Sequence, residues 1–496
     1  MVIGVVGMIT LGAYNFNYLF NFNSTLSSPS SSSRSSSPSS SGANPQAEEQ
    51  ELPEPMLVGL HEKNNLKVDS FVAQGLSFPT SMAFVDRGNI LVLEKAGKVR
   101  LISNGVLQKQ PVLTEQVDNT SERGLLGIAV LKENRSSSSP LPSTKQSRLS
   151  SQSLSSTAVA NNTTTTKVFL YFTESNGGEE PLRNRIYKYD WDSKKHLLLH
   201  PKLILDVSAL PGPNHDGGKI AIGPDHYLYA VIGNVNAGDS ILQNDKRGRG
   251  PHDTSVIFRI DPDNGSSAPN NILSSLDNNA TSNKILSKYY AYGIRNSFGL
   301  AFDPITGKLS DTEDGEATYD EVNLVTPGFN SGWQLVMGPL SRSNVTTQDL
   351  VNLPGSHYTD PAFSWLTTIG VTDIEFLKST KLGSRYANNI FVGDINNGNL
   401  YYFELNKTRT GLRFGYNSDY DNNEAALLSD FVADDKAEVS TVTFGKGFGG
   451  ITDIKTGPDD GFLYILSYFN GSIYRIVPDS DNNYINHGNN DNENLY

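Results

Sequence analysis

Hydrophobic and polar residues alternate in short runs between residues 57 and 478, and the runs are separated by turns rich in Gly, Pro, Asn and Asp. In the last copy of this pattern, runs at 450–454, 462–466 and 472–476 flank turns at 457–461 and 469–471. Alternation with a period of two, bounded by such turns, predicts short antiparallel β-strands. No stretch longer than about three turns has a convincing helical period. The sequence therefore predicts an all-β protein.

The pattern occurs six times. The copies begin near Pro79, Gly124, Gly218, Phe298, Gly370 and Gly450. A single small sheet leaves both of its faces uncovered, whereas radial stacking of several sheets buries both faces of each. We therefore predict a six-bladed β-propeller of four-stranded antiparallel blades over residues 57–478. A β-sandwich followed by a second β domain is the alternative interpretation.

The ends of the chain and one internal stretch differ in composition from the predicted propeller. Residues 1–22 are largely apolar and have the length of a signal-peptide core or a short membrane anchor, with a buried strand or helix as the alternative. Segments 23–56 and 133–166 are rich in Ser, Thr and Pro, and 479–496 is rich in Asn. Such segments bury too little apolar surface to fold. We predict a disordered linker, a disordered insertion and a disordered tail.

These segments together favour export, with a secreted protein and an N-terminally anchored protein at the cell surface both left open. The chain has 496 residues, a formal net charge of -13 and no cysteine. The negative charge disfavours nucleic acid and anionic membrane surfaces as partners. The absence of cysteine excludes disulfides, thiolate metal sites and cysteine nucleophiles. A metal would need oxygen or imidazole ligands, which favours calcium.

A histidine loop is the first candidate for chemistry. His215 lies in the segment Asn214-His215-Asp216-Gly217-Gly218, directly before a predicted inner strand. A neutral imidazole is a general base near neutral pH, and the two glycines would let the backbone approach a ligand closely. The alternative is a loop histidine that is hydrogen-bonded to a neighbouring carbonyl.

Two further segments carry charged residues before or after predicted strands of the fourth unit. Arg295 and Asn296 precede its inner strand, and the planar guanidinium suits carboxylates and stacked rings. Carboxylates cluster at 312–316 and 320–323 around a Gly turn. These oxygens suit a hard cation. A surface ion pair and a solvated acidic loop are the respective alternatives.

Several motifs resemble the glucose/sorbosone (PQQ-dependent aldose sugar) dehydrogenase family, in order over roughly residues 70–478. They are Glu-Arg-Gly-Leu-Leu-Gly at 122–127, Asn-His-x-Gly-Gly at 214–218, Tyr-Gly-x-Arg-Asn at 292–296 and Asp-Glu-Val-Asn-Leu at 320–324. The resemblance implies a six-bladed propeller with pyrroloquinoline quinone (PQQ) and calcium at the mouth of its channel. It further implies oxidation of an aldose to the lactone, with hydride transfer from the anomeric carbon to PQQ and then to an external electron acceptor.

The same resemblance implies roles for individual residues. His215 would take the proton of the anomeric hydroxyl, and Arg295 would neutralise the negative charge that develops on the quinone. The implied cofactor contacts are Arg295, Asn296, Asn214 and Thr452, and the implied substrate contacts are Glu122 and Asp216. The implied calcium ligands are the backbone carbonyls of Gly315 and Glu316, with Asp320 and Glu321 beside them.

One departure from the family pattern leaves other functions open. The family's last blade usually carries basic residues that hold the quinone's carboxylates, but here Gly449–Asp453 contains none. PQQ has three carboxylates, and each charge-assisted hydrogen bond contributes about 1.5–3 kcal/mol. The alternatives are a non-catalytic extracellular propeller that binds a sugar, glycan or protein, and a calcium-dependent lactonase.

Overall fold

The computed structural model describes residues 54–58, 65–72, 74–135, 163–175, 177–178, 181–414 and 428–479. In these ranges the chain consists mainly of strands, with two seven-residue α-helices, Ala280–Leu286 (α1) and Lys436–Val442 (α2). Two 3₁₀ segments, Ile241–Gln243 and Leu340–Arg342, lie in loops. The predicted segment 1–22, most of 23–56 and the tail after residue 479 lie outside the described residues.

The strands form six sheets, which we number as blades 1 to 6 in chain order. Two strands precede blade 1 and belong to later blades: Met56–Leu57 (β1) and Leu66–Val72 (β2). Blade 1 contains Pro79–Asp86 (β3), Asn89–Glu94 (β4), Lys98–Ser103 (β5), Val106–Leu107 (β6) and Leu113–Thr114 (β7). Blade 2 contains Leu125–Arg135 (β8), Thr163–Glu174 (β9), Arg183–Asp192 (β10) and Leu197–Ser208 (β11).

The strands of blades 3 and 4 alternate along the chain. After β18 of blade 4 the chain returns to the outer edge of blade 3, and it then returns to the outer edge of blade 4. Blade 3 contains Ile220–Ile222 (β12), Leu228–Ile232 (β13), Val256–Ile260 (β14), Tyr289–Tyr292 (β15), Phe329–Asn330 (β19) and His357–Tyr358 (β20). Blade 4 contains Ser297–Phe302 (β16), Leu309–Glu313 (β17), Thr318–Val325 (β18), Phe363–Thr367 (β21) and Val432–Ala433 (β25).

Blades 5 and 6 each take one strand from the N-terminal part of the chain. Blade 5 contains Val371–Phe376 (β22), Ile390–Asp394 (β23), Leu400–Phe403 (β24) and Thr443–Lys446 (β26), with β1 at its edge. Blade 6 contains Ile451–Thr456 (β27), Leu463–Ser467 (β28) and Ser472–Pro478 (β29), with β2 paired antiparallel to β29. Blade 6 is therefore built from both ends of the described chain.

The first strand of each blade is its inner strand. Each of these strands contacts the inner strand of the next blade, and β27 of blade 6 contacts β3 of blade 1, so the ring is closed. Six buried hydrophobic clusters fill the spaces between neighbouring blades, one cluster per interface. The alternating patterns thus bury both faces of each sheet. The predicted β-propeller is confirmed, and the alternative of a β-sandwich followed by a second β domain is excluded for the described residues.

Two details of the predicted propeller are corrected. Only blades 2 and 6 have four strands, and the short strands β19, β20 and β25 pair in parallel with their neighbours. In the predicted insertion 133–166, β8 continues to Arg135 and β9 begins at Thr163, with Glu133 opposite Thr165. Threonine is β-branched and fits a strand, which explains why the Thr-rich end is paired. Residues 136–162 lie outside the described part. No helix among the described residues has the length and apolarity needed to cross a membrane.

Candidate active site at the propeller axis

A cavity lies on the axis, and all six blades contribute to its lining. The lining residues are Thr80, Lys95, Glu122, Leu126, Gly217, Lys219, Phe298, Asp314, Thr372, Ile395, Thr452 and Tyr468. Most of them lie at the beginning of an inner strand or in the loop that leads to it. The cavity volume is 90 Å³. Sites for cofactors typically measure about 300–1,000 Å³, so a ligand of that size would extend beyond the cavity.

His215 lies in the loop that leads to β12, with a left-handed backbone (φ 64°). Its Nδ1 is 2.5 Å from Oδ1 of Asn234. The Asn234 amide is oriented by two further hydrogen bonds, because its Nδ2 donates to Ala237 O (3.0 Å) and its Oδ1 accepts from Asn236 N (3.2 Å). Since Oδ1 can only accept, His215 Nδ1 carries the proton. The other ring nitrogen, Nε2, therefore has a free lone pair.

The His215 ring is neutral over the physiological pH range. Burial and, to a smaller extent, the nearby Arg295 guanidinium together lower the pKa of His215 to about 4, although the Asn234 hydrogen bond opposes this shift. An imidazole with this pKa is unprotonated at pH 5–8 and is available as a base. The prediction of a neutral histidine at a strand entrance agrees with this geometry.

Arg295 is held at the entrance to β16 by hydrogen bonds with blade 4. Its Nη1 donates to Asp314 O (2.8 Å), and its backbone N–H donates to Glu313 Oε1 (2.6 Å). The guanidinium carbon lies 5.4 Å from the centre of the Trp333 ring. Its Nε is buried and has no hydrogen-bond partner among the described residues. The guanidinium is therefore positioned by the protein but keeps a donor for a ligand.

Glu122 connects the histidine loop to the arginine loop. Its Oε2 accepts from the backbone N–H of His215 (2.7 Å) and from Asn296 Nδ2 (3.0 Å). Burial raises the pKa of Glu122, and these two hydrogen bonds lower it in part. The Oδ1 of Asn296 is buried without a partner among the described residues. Glu122 and Asn296, both predicted from the sequence, therefore lie together with His215.

Gly233 lies between the two candidate catalytic segments. A Cβ at this position would be 2.3 Å from Arg295 O and 2.7 Å from His215 O. The next residue, Asn234, donates its backbone N–H to Arg295 O (2.9 Å), and Val235 donates to His215 O (3.2 Å). The end of β13 thus holds both loops at close range. His215 and Arg295 therefore lie close together at one end of the axis, which the roles implied for them in a single reaction require.

The predicted contacts Asn214 and Asp216 flank His215 but differ in environment. Asn214 is half-buried, accepts from Ser121 Oγ and donates its backbone N–H to Asn236 Oδ1 (2.8 Å). Asp216 is fully buried, accepts from Asn184 Nδ2 (2.8 Å) and lies 3.8 Å from Arg123 Nε. Burial raises the pKa of Asp216 to about 7. Its predicted substrate contact is therefore corrected: the side chain points into blade 2 and supports the His215 loop.

The two glycines after Asp216 also have a different role from the predicted one. A Cβ at Gly218 would lie 2.6 Å from the Cβ of Leu126, and one at Gly127 would lie 1.9 Å from Gly218 O. Gly217 lines the cavity, but a Cβ there would meet the backbone of Val231 at 2.7 Å. Gly127 and Gly218 thus allow blades 2 and 3 to approach each other, whereas Gly217 packs against β13 and lines the cavity.

A buried charge cluster, which we call the axial cluster, forms the floor of the cavity. Lys219 Nζ lies 2.8 Å from Asp373 Oδ1 and 2.8 Å from Asp453 Oδ1. Lys455 Nζ lies 3.0 Å from Asp373 Oδ2 and 2.5 Å from Asp453 Oδ1. Burial opposes the ionisation of Asp453, but the two ammonium groups outweigh it and lower the pKa of this carboxyl. Burial raises the pKa of Asp373 to about 7, although the two ammonium groups oppose this shift. With Asp373 ionised the cluster has two positive and two negative groups, so its charges cancel above about that pH.

Thr452 lines the cavity as predicted, but its hydroxyl donates to Pro79 O (2.8 Å). Lys95, which was not predicted from the sequence, also lines the cavity and donates to Asn119 O (2.6 Å). Burial lowers the pKa of Lys95 to about 8, although Asp118 and Glu122 oppose this shift. Asn234 was missed as well. Lys95 and Asn234 each follow a buried strand. A polar residue just after such a strand is the one sequence feature that could have indicated them.

The predicted calcium ligands are partly corrected. The Asp320 carboxylate accepts from four backbone N–H groups, those of Gly315, Ile369, Gly370 and Val371, at 2.7–3.2 Å. Glu321 accepts from Gly338 N (2.5 Å) and Asn323 Nδ2 (3.2 Å). These side chains hold the β17–β18 turn, the β19–β20 connection and the entrance to β22, so their assignment as metal ligands is not supported. Among the described residues no group of three or more His, Cys, Asp or Glu side chains is arranged to hold a metal. Glu316 is exposed, and calcium at the carbonyls of Gly315 and Glu316 stays a prediction.

A larger cavity, of 1130 Å³, lies at the other end of the axis. It is lined by the final residues of the inner strands and the turns that follow them, such as Ile222, Phe302 and Thr456. Lys219 lines both cavities, so the axial cluster separates them. Neither cavity has His215 or Arg295 in its lining, but the smaller one is lined by Glu122 and Asp314, which accept hydrogen bonds from the His215 backbone and the Arg295 guanidinium. We therefore place the candidate active site beside the smaller cavity.

A closed ring of six sheets with a neutral histidine, a guanidinium and a carboxyl group at one end of its axis defines a β-propeller with an axial ligand site. The family model described as Glucose / Sorbosone dehydrogenase matches residues 151–475. The chain therefore belongs to the glucose/sorbosone dehydrogenase family.

Known proteins support this placement. The chain is 24% identical over 425 residues to an uncharacterized protein of Synechocystis, covering 82% of this chain and 85% of that protein. It is 30% identical over 179 residues to quinoprotein glucose dehydrogenase B of Acinetobacter calcoaceticus, covering 33% and 35%, so it spans about a third of that relative's length. The PQQ-bound aldose sugar dehydrogenase of Streptomyces coelicolor has the same fold, with a TM-score of 0.54, 23% identity, and coverage of 83% and 98%.

The residues at the axial site fit a quinone cofactor in part. The unpartnered Arg295 Nε and Asn296 Oδ1 are buried polar atoms of the kind that a bound ligand satisfies. Lys95 and Arg295 are cations beside the cavity and suit carboxylates. Lys219 also lines the cavity, but Asp373 and Asp453 already neutralise it. Arg295, Asn296, Lys95 and Thr452 would hold the cofactor.

Proposed function

We propose that this protein oxidises the anomeric hydroxyl of an aldose to the lactone, outside the cell, with PQQ as its cofactor and an external electron acceptor. The observation that carries the proposal is the pairing of His215 and Arg295 across Gly233. The base has a free Nε2, and the cation has a free donor. Family membership supports sugar oxidation as the reaction type.

Each residue of the site would make a distinct contribution. His215 Nε2 accepts the proton of the anomeric hydroxyl, and Asn234 keeps the ring in the tautomer that permits this. Arg295 stabilises negative charge that develops opposite the base. Glu122 fixes the His215 loop through the backbone N–H and orients the Asn296 amide. When bound, PQQ supplies the two-electron acceptor, and calcium at the carbonyls of Gly315 and Glu316 would polarise it.

The test is reduction of an artificial dye by the full chain after incubation with PQQ and calcium, using a panel of aldoses. We expect wild-type activity and a loss of at least about 10²-fold in His215→Asn, the lower range for removal of a general base. Asn tolerates the left-handed backbone at position 215, so this variant leaves the loop intact. His226→Asn is the matched control, because His226 is exposed in a turn at the far end of the axis with nearly the same φ, 66°.

A propeller that binds a ligand without redox chemistry is the second candidate function. The absence of basic residues over Gly449–Asp453 and the neutralisation of Lys219 favour it. Titration of the protein with PQQ separates the two candidates. Saturation at micromolar PQQ together with dye reduction supports the dehydrogenase, whereas sugar binding without PQQ binding supports the second candidate.

A further inference from the structure

Phe78, at the mouth of the axial cavity, has an unusual backbone conformation. Its φ is 47°, in the left-handed region, which a bulky residue adopts only when the surrounding structure compensates for the strain. The residue is nevertheless 44% exposed. Its carbonyl accepts from the backbone N–H of Lys95 (3.1 Å), so it is fixed next to a residue that lines the cavity. The strained backbone and the hydrogen bond to Lys95 together fix an apolar residue at the solvent-facing side of the cavity.

Two further aromatic rings adjoin Phe78. The centres of the Phe78 and Tyr468 rings are 5.2 Å apart, and those of Tyr468 and Phe469 are 5.1 Å apart. Phe469 is 37% exposed, and its ring lies against Gly450, where a Cβ would be 2.9 Å away. We call Phe78, Tyr468 and Phe469 the aromatic rim. Tyr468 belongs both to the rim and to the cavity lining, so the rim continues the cavity outward.

Apart from Lys95 beside Phe78, the cavity lining next to the rim is uncharged. The lining residues that blades 5 and 6 contribute are Thr372, Ile395, Thr452 and Tyr468. A ligand group that rests on the rim therefore meets rings, aliphatic carbon and hydroxyls. A pyranose ring matches this surface, because its C–H bonds form an apolar face that packs on the electron-rich face of an aromatic ring. Its hydroxyl groups stay in contact with water at the ring's edge.

We propose that the aromatic rim binds a second sugar ring, so that the substrate is an oligosaccharide oxidised at its reducing end. The inference rests on the proposed function for the reacting ring, which would lie beside His215 and Arg295. A single sugar would fill the space over the cavity, and the next ring of the chain would extend over Tyr468 to Phe78 and Phe469.

The first experiment compares ligands. The full chain, with PQQ and calcium present, is titrated calorimetrically with glucose, maltotriose, xylose, xylotriose and cellotriose. Truncation of a well-packed aromatic contact typically changes affinity by about tenfold. We therefore expect at least one trisaccharide to bind about tenfold more tightly than its monosaccharide. Equal affinity within every pair of mono- and trisaccharide overturns the proposal.

The second experiment removes the rim. Phe78→Gly deletes the ring and accepts the left-handed backbone, and Phe469→Ala deletes the other exposed ring. Both variants should lose the preference for the trisaccharide and keep the affinity for the monosaccharide. Phe431→Gly is the matched control, because Phe431 has a φ of 62° and is 39% exposed but lies at the outer edge of blade 4. It should keep the preference.

Thermal unfolding checks that the variants are folded and tests the strain. If Phe78 is strained for binding, Phe78→Gly should unfold at the same temperature as the wild type or higher. A clear drop in its unfolding temperature, with the trisaccharide preference retained, shows a purely structural ring and overturns the proposal. So does a loss of PQQ affinity with sugar affinity unchanged. If dye reduction fails but the trisaccharide preference is present and depends on Phe78, the result supports sugar binding at the aromatic rim and contradicts the proposed reaction.

Discussion

The two sides of the axial cavity differ in their chemistry. Blades 1 to 4 contribute every charged lining residue, namely Lys95, Glu122, Lys219 and Asp314, whereas blades 5 and 6 contribute only uncharged ones. The acids of blades 5 and 6, Asp373 and Asp453, lie below the lining and are neutralised by Lys219 and Lys455. The charged groups that acid–base chemistry needs therefore lie on the side formed by blades 1 to 4. The side formed by blades 5 and 6 provides an uncharged contact surface.

Removal of Lys219 should have the largest effect on stability, because it leaves an excess of negative charge in the axial cluster beneath the uncharged side. In Lys219→Met, one ammonium group faces two buried carboxylates. We expect a loss of about 3–5 kcal/mol in the free energy of unfolding, as for other buried ion pairs that lose one partner. Urea unfolding measures this loss.

The double variant Lys219→Met with Asp373→Asn is the control, since it restores a one-to-one pairing of Lys455 with Asp453. It should recover most of the lost stability. If Lys219→Met alone costs less than about 1 kcal/mol, the axial cluster is not held together by charge in the way that buried pairs are.

Gly233→Ala should disrupt the polar side with little change elsewhere. The new Cβ would meet the carbonyls of Arg295 and His215 at 2.3 and 2.7 Å and push the two loops apart. A displacement of about 1 Å in a catalytic group can lower the rate by about 10²-fold. Gly238→Ala, where no atom lies within 4 Å of the new Cβ, is the matched control for dye-reduction kinetics. Equal activity of the two variants would show that the spacing of the loops is unimportant.

Thr452→Arg tests the uncharged side directly by adding the missing cation. If the weak point of this site is its supply of positive charge, PQQ should bind about tenfold more tightly, since a charge-assisted hydrogen bond contributes about 1.5–3 kcal/mol. Thr456→Arg lies on the same strand but lines the opposite cavity, and serves as the control in a spectroscopic titration with PQQ. The same affinity in both variants and the wild type would contradict the expectation.

The pH dependence of the reaction should give the smallest but most specific signal. Because the pKa of His215 is lowered to about 4, mainly by burial, activity should be retained at pH 5 and fall as the pH drops through about 4. Asn234→Asp places a negative charge beside the ring and should raise the pKa of His215, so the acid limb moves to higher pH. Rate profiles and ¹⁵N NMR of the imidazole would show this. An acid limb unchanged in the variant would argue against contact between the two side chains.

The sequence was sufficient for the architecture because the decisive signal is local. Each inner strand begins at or within two residues of a position taken from the alternation and its turns, as with Pro79 for β3 and Gly450 for β27. The edge strands could not be predicted, since two-residue strands such as β19 and β25 carry no pattern of their own. Their pairing depends on connections that return from the next blade.

The candidate site was predictable where a position before an inner strand or a motif marked it. His215 and Arg295 were singled out by both, and Glu122 by a motif alone; the structure brings them together. Asp320 and Asp216 belong to the same motifs, but their side chains satisfy backbone N–H groups and an Asn amide inside the blades. Sequence cannot separate a carboxylate that faces a ligand from one that supports a loop. The role of Asn234 depends on contacts across blade 3, which no local pattern reports.

The pairing of β2 with β29 has a practical consequence for the N-terminal region. If proteolysis or truncation removed the chain up to Val72, blade 6 would keep three strands, and β29 would become an open edge able to pair with another molecule. We expect such shortened forms to self-associate. In a protein that retains Leu66–Val72, the pairing of β2 with β29 covers this edge and joins an N-terminal strand to the last strand of the propeller.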